Sequence, residues 1–150
     1  MNPRLQVMLD SGQLEPMLAG DEEVGGMWAK AIRSLHSSGA AGLDADSAFT
    51  LAYQAALQGA TAIVRAAGYR VRGEGHHHHT FAAVAALGLG DLTEAARELN
   101  VIRQQRHGAI YDWQSTTRDQ DVTDLRSAVA RLFDHGRWWL RAQRPHLVLD

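Results

Sequence analysis

Between Asn100 and Trp113 the chain reads NVIRQQRHGAIYDW, a segment that carries two arginines, a histidine and a tyrosine within an otherwise ordinary helical pattern. At about 100° per residue, Arg103, His107 and Tyr111 stack at successive i, i+4 positions, and Arg106 lies one turn from Arg103. The four span an arc of roughly 140° by the same geometry. Ala95, Leu99, Ile102 and Ala109 fall on the adjoining arc, so the polar ridge borders a packed surface. An edge of this kind is a natural place for an anion site. The competing reading is a solvated helix face, with Tyr111 closing the end of a bundle and Asp112 pairing an arginine.

A second conspicuous feature is the run His76 to His79. Consecutive residues diverge by about 100° on a helix and alternate on a strand, so at most two of the four readily share one ion. His76 with His79 is the best pair and Glu74 the nearest carboxylate. A structural metal site takes three or four protein ligands, and no carboxylates stand at the i, i+3 spacings a di-metal bundle needs. No metal and no cofactor is expected. Trp138-Trp139 is the third feature. Adjacent tryptophans cannot both enter one core stripe, so one of them is expected at a rim or a partner interface.

The elements that must position these residues all read as helices. Pro3 opens a short helix through Leu9, broken at Ser11-Gly12. Asp21, Glu22 and Glu23 form the acidic first turn of a helix running to about His36. A third starts near Asp44 or Asp46, carries Phe49, Tyr53, Ala56, Leu57, Ala60, Ile63, Val64 and Ala67 at helical spacing, and stops at Gly68. Its many alanines allow a neighbour to come close. Tyr69 to Gly75 reads as a loop, followed by a short helix from about His78 to Leu87. The ridge helix is capped by Asp91 or Thr93 and continues to about Trp113. A last helix spans about Asp121 to Arg141, with Pro145 beyond it. The expected fold is all-α, an up-and-down bundle of four main helices plus one or two short ones. One domain over residues 1–150 is expected, its core at about 21–143, with a short N-terminal helix and a C-terminal tail.

Composition narrows the function classes. The chain has 150 residues, 45% of them hydrophobic, and a net charge of -2, so it lacks the broad basic footprint of a bulk nucleic-acid binder. Any phosphate contact must be local. Cysteine is absent, which excludes disulfides, thiolate catalysis and thiolate zinc sites and agrees with a reducing cytoplasm. No apolar run reaches about 18 residues and none near the start suits a signal peptide, so a cytoplasmic protein without membrane partners is expected. Fourteen arginines against the single Lys30 reflect coding bias more simply than phosphate binding.

With these elements in place, Arg106-His107-Gly108-Ala109-Ile110-Tyr111-Asp112 resembles the signature of the HEPN superfamily, in which an arginine and a polar residue are followed four to six positions on by a histidine. The upstream pattern is similar too: a core helix ending in Ala67-Gly68-Tyr69-Arg70, then Gly75-His76-His77 opening a short helix, as in a bacterial branch whose motif reads Arg-Asn-x-x-x-Tyr-Asp. The resemblance covers roughly residues 49–140. It implies a homodimer in which two motif helices line one cleft, and in catalytic members a metal-independent endoribonuclease. By that resemblance Arg106 holds the scissile phosphate, with Arg103 as a second phosphate contact and His76 and His77 at the cleft. His107 would carry the proton. Tyr111 stands where the family has histidine, and a phenol with a pKa near 10 is a poor base at neutral pH. A module that binds RNA or a nucleotide is therefore expected ahead of a nuclease. The resemblance also implies a role as the toxin-like or defence-related member of a pair, with a nucleotidyltransferase-type antitoxin as partner and Tyr111 as a loose analogue of an AMP-accepting tyrosine. The alternative is a non-catalytic helical adaptor whose ridge anchors a protein partner.

Overall fold

The computed structural model describes residues 2–73, 76–111 and 116–149, with side chains throughout except at 76–78 and 106–111. Among them are six helices, α1 (Pro3–Asp10), α2 (Asp21–Ser37), α3 (Ala45–Ala66), α4 (His76–Ala86), α5 (Asp91–Tyr111) and α6 (Asp119–Gln143), with two short strands, β1 (Leu14–Pro16) and β2 (Tyr69–Val71). The four long helices α2, α3, α5 and α6 and the two short ones make the all-α bundle that the hydrophobic spacing requires.

Local chemistry accounts for most helix ends. The Asn2 side chain accepts the Arg4 backbone N–H at 2.9 Å and Pro3 fills the first position of α1, where a missing N–H costs nothing. Three acidic residues open α2, matching the positive end of its dipole. The chain leaves α3 through Gly68, whose φ of +95° is open to glycine at little cost. α6 starts at Asp119, two residues ahead of the expected start near Asp121. Asp121 is the third helical residue, and its carboxylate reaches back to accept the Arg118 backbone N–H at 2.9 Å.

The two strands are a departure from an all-helical reading in which Tyr69 to Gly75 is a loop. They pair antiparallel, Leu14 opposite Val71 and Pro16 opposite Tyr69. The ladder is extended by Met17 N–H to Gly68 O and Arg72 N–H to Gln13 O, both 2.8 Å. Three residues are too few to display a period of two, and the partners lie far apart in sequence. This small sheet ties the α1–α2 connection to the α3–α4 connection.

α3 is the central helix, packed against α2, α4, α5 and α6. Its buried face is made of Ala48, Phe49, Ala52, Ala55, Ala56, Gly59, Ala60, Ala62, Ile63 and Val64. α2 runs antiparallel to it, Ser34 meeting Gln58 and Glu23 meeting Arg65. α6 runs parallel to it, Gly59 facing Phe133, Gly136 facing Ile63, and Arg144 donating to the Ala66 carbonyl at 3.0 Å. A Cβ built on Gly59 would lie 2.5 Å from Phe133 Cε1, and one on Gly136 would lie 2.9 Å from Ile63 Cδ1. The two helices thus approach closely only because both positions lack a side chain. Trp28 of α2 is fully buried above this contact, its ring 5.2 Å from that of Phe133 and beneath the Arg137 guanidinium.

Of the adjacent tryptophans on α6, Trp138 is 77% exposed while Trp139 is half-buried against the core. No helix among the described residues is long and apolar enough to cross a membrane.

Candidate functional site

The α5 ridge is built on a helix whose inner face is fixed by Leu92, Ala95, Ala96 and Leu99, all buried, with Ile102 half-buried beside them. This is the orientation the spacing requires for Ala95, Leu99 and Ile102, while the Ala109 side chain lies outside the described residues. Arg103 is half-buried, and its Nε donates to Asn100 Oδ1 at 3.0 Å. The backbone of Arg106, His107 and Tyr111 belongs to α5, and that of His76 and His77 to the first turn of α4. The side chains of these five residues lie outside the described set, as do Asp112 and Trp113 altogether.

Packing of α4 on α5 brings parts of two separate sequence features to one place. A groove of about 420 Å³ between α1, α4 and α5 is lined by His79 at the end of the histidine run and by Arg97 and Asn100 on the approach to the ridge. Val7, Met8, Phe81 and Ala82 supply its apolar wall. Arg97 is held by Glu94 one turn back, and Arg131 of α6 is ion-paired with Glu98 on the neighbouring face. The hydrogen bond to that carboxylate raises the Arg131 pKa above its ordinary value, so its charge is constant at any physiological pH.

A larger cleft, of about 580 Å³, lies on the other side of α4 and is lined by residues of α2, α3, β2 and α4. Three arginines, Arg65, Arg70 and Arg72, are among its lining residues. Arg65 is 7% exposed, donates from Nη2 to Glu23 Oε1 at 3.1 Å and from Nη1 to the Met17 carbonyl at 3.3 Å. Arg72 pairs with Glu15 at 2.9 Å across the sheet, and Arg70 stands 3.9 Å from the same carboxylate. Met17, Met27, Val64 and Val71 form the apolar part of the wall.

Arg65, Arg70 and Arg72 lie outside the Arg106–Asp112 motif, so the motif does not point to this cleft. The available signal is the i, i+2 spacing of Arg70 and Arg72, which on an extended segment puts both on one face. It becomes legible only once Tyr69–Val71 is known to be a strand. No family model, no curated protein and no solved structure matches the chain.

Proposed function

We propose that the protein is a HEPN-like helical module that binds RNA or a nucleotide along the α5 ridge, as a homodimer in the cytoplasm. The observation that carries this reading is the convergence of α4 and α5 on one groove, where His79 of the histidine run meets Arg97 and Asn100 below Arg103. One turn further along α5 stand Arg106 and His107. Arginine and histidine together are chemistry suited to phosphodiester oxygens, since each guanidinium fork can make two charge-assisted bonds. In this reading Arg103 and Arg106 hold phosphate, His76, His77 and His107 flank it, and Tyr111 donates a hydrogen bond. Its phenol is too weak a base to drive cleavage at neutral pH, which favours binding over metal-independent endoribonuclease action. A cognate nucleotidyltransferase-type antitoxin fits the same reading as partner.

Binding of a labelled single-stranded RNA, measured against salt, tests it. The expected result is affinity that falls linearly on a logarithmic salt axis and is lost at least tenfold in Arg106→Ala, with the melting temperature unchanged. Equal binding by Arg106→Ala, or no salt-dependent binding at all, would sink it.

The adaptor reading draws on the apolar wall of the same groove, where Val7 is 64% exposed on α1. There, Val7→Asp would weaken capture of a protein partner, while Arg106→Ala would change neither RNA binding nor growth inhibition.

A further inference from the structure

Two grooves flank α4, and the one used in the functional proposal is not the more strongly charged. The cleft between α2, α3, β2 and α4 gathers Arg65, Arg70 and Arg72 against Glu23 in its lining, with Glu15 held between the two strand arginines. Three guanidinium groups share two carboxylates, which leaves one excess positive charge among these five residues. Glu15 sits 2.9 Å from Arg72 but 3.9 Å from Arg70, so one carboxylate serves both guanidinium groups unequally. Arg70 also donates to the Met17 sulfur at 3.9 Å, a weak acceptor. Arg65 uses one Nη for Glu23 and the other for Met17 O, and a guanidinium carries five N–H donors. Arg65 is therefore a buried donor held in one orientation, with the half-exposed Arg70 and Arg72 beside it in the lining.

The remaining wall selects the body of the ligand. Met17 and Met27 present thioethers, which adapt to flat rings and make favourable sulfur–aromatic contacts. Arginine planes stack on aromatic faces while their edges grip oxyanions. A volume of about 580 Å³ falls in the range of small-molecule sites. We propose that this cleft binds a nucleoside monophosphate, its phosphate on Arg65, Arg70 and Arg72 and its base against Met17 and Met27. The site is separate from the α5 ridge and stands whether or not RNA binds there.

Calorimetric titration of the full-length protein with AMP and with GMP tests the assignment, with inorganic phosphate and adenosine as the two half-ligands. Saturable binding of at least one nucleotide is expected, with inorganic phosphate competing and adenosine binding at least tenfold more weakly. Arg70 and Arg72 are 52% and 56% exposed as side chains, so Arg70→Ala/Arg72→Ala should fold and lose affinity about tenfold or more, one decade per 1.4 kcal/mol. Arg70→Glu alone, which leaves the Arg72–Glu15 pair in place, should lose as much and serves if the double variant proves unstable. Arg131→Ala, at the exposed pair with Glu98 and outside both grooves, should bind the nucleotide like the parent. The proposal is overturned if neither nucleotide binds saturably, if adenosine binds as tightly as AMP, or if a folded Arg70→Glu binds undiminished. It is equally overturned if Arg106→Ala abolishes a binding that Arg70→Glu leaves intact, since that would place the nucleotide on the ridge alone.

Discussion

Glycine at 59 and glycine at 136 set how closely α3 and α6 can run. Either position given a methyl group must displace Phe133 or the Ile63–Trp28 pair, all of them in the core. Overpacking of this kind costs about 1–3 kcal/mol. Gly59→Ala is therefore expected to lower the melting temperature by several degrees, at roughly 2–4 °C per kcal/mol for a chain of this size. A Gly59→Ala protein as stable as the parent would mean that the helices have room to separate. Gly68→Ala acts through the backbone instead, since its φ of +95° is strained for alanine by about 1–2 kcal/mol. Near-ultraviolet circular dichroism of the two variants separates packing from strain, because only Gly59→Ala should alter the signal of Trp28 and Phe133.

At the scale of elements, Arg144 holds three of them together. It donates to Ala19 O at 2.7 Å and Asp21 Oδ1 at 3.0 Å, at the entrance of α2, and to Ala66 O at 3.0 Å, at the exit of α3. Hydrogen bonds from a charged donor contribute about 1.5–3 kcal/mol each where both partners are part-buried, and less where solvent screens them. Arg144→Ala should lower the urea midpoint and speed amide exchange in the first turn of α2 and the last turn of α3; unchanged exchange there would show the latch to be idle. Arg131→Ala, which breaks the exposed α5–α6 pair with Glu98, should change stability by under about 1 kcal/mol.

For the whole molecule the open quantity is its stoichiometry. The homodimer reading predicts a sedimentation mass near twice the 16.4 kDa of the chain, concentration-independent in the micromolar range. Trp138 is the exposed aromatic best suited to such a contact. Trp138→Ala should then dissociate the dimer without lowering the stability of the separated chain. A monomer at every concentration would remove the shared cleft from the functional proposal and leave the α5 groove as a single-chain surface.

The helices were legible in the sequence because their determinants are local. Acidic first turns, the Pro3 start, the Gly68 stop and apolar spacings of three and four place α2 and α3 within a residue or so of where they run. Ends shifted where a residue had two local uses. Asp121 serves α6 from inside its first turn, and α4 begins at His76 instead of His78. That Arg103, Arg106, His107 and Tyr111 share one helix was likewise readable, and α5 carries the backbone of all four. What tertiary structure alone decided joins residues distant along the chain: the strand pair, whose Glu15 and Arg72 are 57 positions apart, the parallel contact of α3 with α6, and the three-arginine cleft. Such pairings leave no periodic trace, because the pattern within a segment records which face is buried and not which partner buries it. The partner emerges only when the packed helices have brought the connecting segments together.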